Sequence, residues 1–136
     1  MATFTKYQNF VKDLCSGIHD FSTHTVQVAV TADTPIAASD SVYADTSALG
    51  DVNGYASGGY TVTVSLTTSG GSVAIVGTDI SFTASGTVGP FRYAFLFNDT
   101  ATEGNLIGYW DYGSEVTLAS GEIFTVDFGT SMFTVT

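Results

Sequence analysis

The chain has very few basic residues. Lys6, Lys12 and Arg92 stand against thirteen carboxylates, and the net charge is −10. Nucleic-acid binding relies on a positive field that neutralises phosphates, and three dispersed cations do not supply one, so no direct nucleic-acid contact is expected. The same shortage argues against an anionic membrane surface. Cysteine is nearly absent as well. Cys15 stands alone, which excludes an intrachain disulfide and points to synthesis in a reducing compartment. Its place in an apolar stripe reads as a small buried hydrophobe. No uninterrupted apolar run reaches the roughly eighteen residues of a transmembrane helix. The opening MATFTKYQNF is broken by polar residues, so no secretory leader is expected there. Charge of either sign is scarce, at 12% of residues. Thr, Ser and Gly take its place, and these favour strands and turns.

Apolar and aromatic material is plentiful. Hydrophobic residues make up 44% of the chain, with ten Phe, seven Tyr and one Trp. That suffices for a core, and 136 residues fit a single domain spanning 1–136.

Phe4, Tyr7, Phe10, Val11, Leu14 and Ile18 recur at helical spacing and predict an amphipathic helix over 3–19. Thr3 is the candidate cap, and Gly17 lies near the expected end. A helix of about fifteen residues is marginal alone, so its aromatic side needs a partner. From Thr25 the period changes to two. Val26, Val28 and Val30 share one face, and Thr25, Gln27 and Ala29 the other. Residues 31–59 carry little strand signal, with Pro35 and the turn pair Asn53-Gly54, and read as a long extended loop or arm.

Residues 60–136 form the strand-rich core. Strands are expected at Tyr60–Thr67, Val73–Val76, Ile80–Ala84 and Phe91–Phe97. The aromatic strand FRYAFLF places Phe91, Tyr93, Phe95 and Phe97 on one face, and it should be covered on both sides. Leu106–Tyr112 follows, Gly113-Ser114 turns the chain, and Glu115–Leu118 pairs with Ile123–Phe128 as a hairpin; Met132–Val135 is the last strand. The fold class is mainly β: an antiparallel β-sandwich or jelly-roll-like domain with one N-terminal amphipathic helix and a long loop.

The chemistry-bearing residues do not form a catalytic pattern. His19 and His24 lie outside any HExxH or CxxC, so no metal site is expected, and each reads as structural or exposed. Asp99, Glu103 and Asp111 flank the aromatic strand, but Asp99 and Glu103 sit in a Thr/Asn/Gly stretch typical of a solvated turn. The span from Asp33 to Asp45 lacks the central Gly and closing Glu of an EF-hand. No GxSxG elbow and no phosphate loop occur, so no enzyme activity and no cofactor are expected. Trp110, with Tyr109 and Tyr112, has the ring chemistry to stack on a sugar, although core and interface packing use the same residues. Arg92, the sole Arg, sits in the most apolar strand and must find an anion. Asp99, Asp111 and Asp127 are its candidate partners, in a structural clamp.

The segments GPFRYAFLFNDTAT and LIGYWDYGSEVTLASGEIFTVDF resemble small structural proteins encoded by tailed bacteriophages. The front half, FTKYQNFVKDLCSGIHDFSTHTVQVAVTADTP followed by NGYASGG, is similar to the same group, so the resemblance covers nearly the whole chain. It marks Pro90, Arg92, Tyr93, Asn98, Asp99, Trp110, Asp111, Tyr112 and Gly113 as fold-defining positions and brings no catalytic residue. It implies a non-enzymatic virion component made in the host cytoplasm. The first expectation is a capsid cement or decoration protein, contacting the major capsid protein and copies of itself, with a trimer suited to quasi-threefold positions. A tail tube, neck or head-tail adaptor is the alternative within the virion, and a carbohydrate- or receptor-binding module the alternative outside that class. Structural or interface candidates are Phe4, Tyr7, Phe10, Arg92, Tyr93, Asp99, Trp110, Asp111 and Tyr112.

Overall fold

The computed structural model describes residues 2–136. Among them, the strands in chain order are β1 (Phe4–Lys6), β2 (Val26–Thr31), β3 (Tyr60–Val62), β4 (Val64–Ser69), β5 (Ser72–Gly77), β6 (Ile80–Thr83), β7 (Val88–Asn98), β8 (Leu106–Leu118), β9 (Ile123–Val126) and β10 (Phe133–Val135). The helix α1 spans Gln8–Cys15, and a short 3-10 turn spans Tyr43–Thr46. All strand pairs are antiparallel. A five-stranded sheet runs β1-β8-β7-β2-β3, a three-stranded sheet β10-β5-β4, and β6 pairs with β9. The chain is therefore mainly β and sandwich-like, with a single short helix near its start. None of its described helices is long and apolar enough to cross a membrane.

The centre of the large sheet is buried on both faces. On one face Val26 and Val28 of β2, Leu96 of β7 and Ile107 of β8 meet Ile75 of β5, Phe133 of β10 and Phe10 of α1. Further along that face Val30, Val88, Phe91 and Leu118 pack with Phe82 of β6 and Tyr55. On the opposite face Ala29, Phe95, Phe97 and Leu106 gather around Tyr7, with Tyr43 and Ala48 laid over them. Each fully buried Val, Leu, Ile or Phe contributes about 1.5–3 kcal/mol, so this double burial is the main source of stability. The valine alternation of β2 matches the expected faces.

Several expectations change. The helix does not run over 3–19, because Phe4–Lys6 pair as a strand with Trp110, Tyr109 and Gly108. Gly108 has no side chain, and a Cβ there would meet the Phe4 ring. That ring stacks on Phe133 at 4.8 Å and lies edge-on to Trp110 at 5.3 Å. Sheet pairing and ring packing together overrule the helical period. The cap is Tyr7, in extended conformation and without a capping side-chain bond, rather than Thr3. Gly17, at φ +82°, follows the helix end as expected. Cys15 is exposed rather than buried, because Phe10 and Leu14 occupy the inward face.

Residues 31–59 are a loop but not an extended arm. The Thr31 hydroxyl donates to the Thr46 carbonyl at 2.7 Å, Leu49 N–H donates to the Val30 carbonyl at 2.9 Å, and Tyr55 is core. The segment folds back over its own sheet because its Tyr and Ala side chains have the aromatic face of β7 to cover. The stretch Tyr60–Thr67 divides at Thr63 into β3 and β4, which belong to different sheets.

Gly113, at φ +100°, is a bulge within the long strand β8 rather than a turn. Phe91 opposes Val116 and Tyr93 opposes Asp111, so β8 advances five residues where β7 advances two. This shift sends Phe91 into the interior cluster, away from Phe95 and Phe97, with which the alternation had grouped it. The expected hairpin of Glu115–Leu118 with Ile123–Phe128 does not form either. Glu122 takes the Ala119 N–H on its carboxylate at 2.7 Å, and its carbonyl accepts from Ala84 N–H at 2.8 Å, so the turn delivers β9 to β6.

Candidate functional site

Strands β1, β8 and β9 and the Asp127–Met132 turn enclose an open groove of about 460 Å³. Period-two geometry puts Trp110 and Tyr112 of β8 on the same side, and both line it. Phe4 stands at one end, and Phe124, Phe128 and Met132 form the floor. Trp110 packs against Phe128 with ring centroids 5.5 Å apart, and Tyr112 against Phe124 at 6.3 Å. Tyr112 is 62% exposed. The polar groups on the rim are Thr125, Asp127 and Ser131. Tyr109 does not join this patch. It faces the other side of the sheet, 5.2 Å from the Tyr7 ring.

The Phe4 ring also borders a second groove, of about 580 Å³, between β1, α1 and β10. Lys6, Phe10, Val11, Leu14 and Phe133–Thr136 line it. Both β1 and β10 have one neighbour in their sheets, so each keeps a free edge. The two grooves thus meet at one aromatic ring on an unpaired side of the sandwich.

Arg92 finds Asp111, one of its three expected partners. Nε donates to Oδ1 at 2.8 Å and Nη2 to Oδ2 at 3.0 Å, a bidentate pair across β7 and β8. The guanidinium lies 5.5 Å from the Tyr93 ring centroid. The two side chains are 38% and 43% exposed, so the pair is a surface clasp and not the buried one that the apolar strand suggested. The hydrogen bond from Arg92, aided by the Gly113 N–H, holds the Asp111 carboxyl below its usual range, and the same bond raises Arg92. Asp127 accepts instead from the Gly129 N–H at 2.8 Å. Asp99 is exposed in the β7–β8 turn, where its N–H donates to the Thr25 carbonyl.

Tyr7, Phe10 and Tyr93 are buried positions, and of the three only Phe10 lines a groove. Tyr7 is fully buried, its hydroxyl has no partner among the described residues, and burial pushes its pKa well above the ordinary value. Phe10 is on the inward face of α1, and the Tyr93 hydroxyl lies 3.2 Å from the Thr34 hydroxyl.

Two polar clusters escaped the sequence reading. Asp13 is buried in α1, its Oδ2 accepting from Asn9 and Asn105, each at 3.0 Å. The i, i+4 spacing of Asn9 and Asp13 was the available signal. The other is buried Asn98, which holds His19 and His24 together across some seventy residues of sequence; no local pattern reports such a contact. Among the described residues no three His, Cys, Asp or Glu side chains converge as metal ligands would. The groove offers ring faces, an apolar floor and one carboxylate. No family model matches this chain, and no curated protein or solved structure matches it.

Proposed function

We propose that this chain is a non-enzymatic virion structural protein of a tailed bacteriophage, a capsid cement or decoration protein that stabilises contacts between major capsid protein subunits. The observation that carries this reading is the pair of apolar grooves meeting at Phe4, bordered by two free strand edges and the exposed Tyr112. Apolar surface of this kind gains stability when a neighbour covers it, and free edges accept a partner's backbone. The resemblance of the segments around Arg92 and Trp110 to phage structural proteins supplies the setting. The test is to add the purified chain to capsids that lack it, then count bound copies and measure head stability. Hundreds of copies spread over the head, with a raised disruption temperature, are expected. A chain that stays monomeric and leaves such capsids unbound overturns the reading, and copies confined to the tail favour a tube, neck or adaptor role.

A second reading has its own observation. Trp110 and Tyr112 present rings to one groove whose rim carries Asp127, the arrangement by which proteins stack on a pyranose and accept from its hydroxyls. A carbohydrate- or receptor-binding role predicts a saturable change in Trp110 fluorescence on titration with a panel of cell-wall glycans. No change across the panel excludes it.

A further inference from the structure

The Asn98 side chain closes the end of β7. Its Oδ1 accepts from the backbone N–H groups of Thr100 at 3.0 Å and Ala101 at 3.3 Å, which fixes the orientation of the amide. Nδ2 therefore faces the Ile18 carbonyl at 3.2 Å, His19 Nδ1 at 3.2 Å and His24 Nδ1 at 3.0 Å. The Asp20 N–H also points at His24 Nδ1, at 3.3 Å. The two amide hydrogens of Asn98 are shared among its three acceptors. A hydrogen on either Nδ1 would point at an amide nitrogen that has no lone pair to accept it, so this arrangement fits rings that carry their hydrogen on Nε2.

His19 is 6% exposed, stacked parallel to Phe21 at 5.8 Å and tilted over Phe10 at 5.2 Å. Its Nε2 is buried without a partner among the described residues. A second proton on this ring would sit on Nδ1 and point at the NH₂ of Asn98, which has no lone pair to give. Three titratable groups surround it. Asp13, from α1, has its Oδ2 engaged by Asn9 and Asn105. Asp20, in the same segment as the ring, is tied to the hydroxyls of Ser22 at 2.6 Å and Thr23 at 2.9 Å. His24 faces the same amide from the other side. From β7 comes only neutral Asn98.

We propose that His19, His24 and Asn98 form a proton-sensitive latch, which holds residues 18–25 against the β7–β8 turn at neutral pH and releases them in mild acid. Burial lowers His19 to about 4, against a gain from Asp13 and a further lowering by His24. In the released segment the ring returns to about 6.5, the ordinary value. Protons therefore favour the released state between these two values. The latch is fully closed above the higher one and weakens as pH falls toward the lower. Asp20, held to about 2 chiefly by the Ser22 hydroxyl, stays ionised throughout this window and does not contribute. Release breaks the bonds of Thr25 N–H to the Thr100 hydroxyl and of Asp99 N–H to the Thr25 carbonyl. It also lifts Phe21 from Phe10 and Phe133.

Amide exchange measured between pH 7 and 4.5, corrected for intrinsic rates, tests the latch. In the wild-type chain, protection of residues 18–25 and 99–101 should fall at least about tenfold across this range while β5 and β7 hold theirs. His19→Phe, which fills the same apolar site without titrating, should remove that dependence. An equal pH dependence in the variant, or a loss spread evenly over the chain, overturns the latch. Should the variant not fold, ¹⁵N imidazole spectra of the wild type decide. Bare Nδ1 on both rings at neutral pH, with the segment-specific loss in acid, upholds the latch; a hydrogen on either Nδ1 refutes it.

Discussion

Arg92 and Asp111 form a bidentate clasp, yet both side chains stand in solvent. An exposed pair is screened by water and salt, so its geometry exceeds its worth. Arg92→Met should lower the thermal midpoint slightly at low ionic strength, and the difference should vanish at about 1 M salt. Because Asp111 is held below its usual range, whatever the clasp contributes is present above the ordinary carboxyl value and is lost as pH falls through the folded one. Tyr7 is the opposite case. Its ring is fully buried while its hydroxyl has no partner among the described residues. Tyr7→Phe removes a desolvated polar group and keeps the ring, so urea unfolding should show no loss and up to about 1 kcal/mol of gain. A loss beyond about 1 kcal/mol would mean that the hydroxyl is paired.

At the scale of elements, β2 explains why the long loop folds back. Its pairing with β3 stops at Val28. Beyond it, the Val30 N–H donates to the Tyr55 hydroxyl at 3.1 Å and the Val30 carbonyl accepts from Leu49 N–H. The loop thus completes the sheet edge with a side chain and a backbone group in place of a strand. Tyr55→Phe keeps the ring packing and orphans a buried N–H, which should cost about 1–3 kcal/mol by chemical denaturation. Gly59, at φ +75°, enters β3 so close to β2 that a Cβ would strike the Val28 carbonyl. Gly59→Ala combines that clash with left-handed backbone strain and should cost more than about 1 kcal/mol. The alternation of Val26, Val28 and Val30 was legible because a period of two leaves few alternatives. The front of the chain was not, since Phe4 and Tyr7 fit a helix equally well until Gly108 provides the slot for the Phe4 ring. Nor was the β6–β9 pairing, which depends on a turn bond between Ala84 and Glu122. Within the site, charge chemistry narrowed the partner of Arg92 to three carboxylates, and strand register chose Asp111. Alternation separates Tyr109 from Trp110 and Tyr112, whereas ring chemistry alone had grouped the three. Phe124, Phe128 and Met132 arrive from a distant segment and were not.

For the molecule as a whole, thirteen carboxylates contrast with the apolar grooves that meet at Phe4. The groove shared by Phe4, Trp110 and Tyr112 tests whether that region is where the protein works. Tyr112 projects into solvent and supports little of the core, so Tyr112→Ala should change stability by no more than about 0.5 kcal/mol. Leu66→Ala, an exposed apolar position on β4 outside both grooves, provides the matched control. If the groove is the contact surface, Tyr112→Ala should weaken capsid binding at least about tenfold, as aromatic anchors at the centre of an interface do, and Leu66→Ala should not. Trp110 reports the same event from within, because covering the groove removes water from its ring and shifts its emission to shorter wavelength on assembly. Equal binding by the two variants, with Trp110 emission unchanged in the particle, would move the contact away from this groove. The free edges of β1 and β10 would then be the next surface to alter.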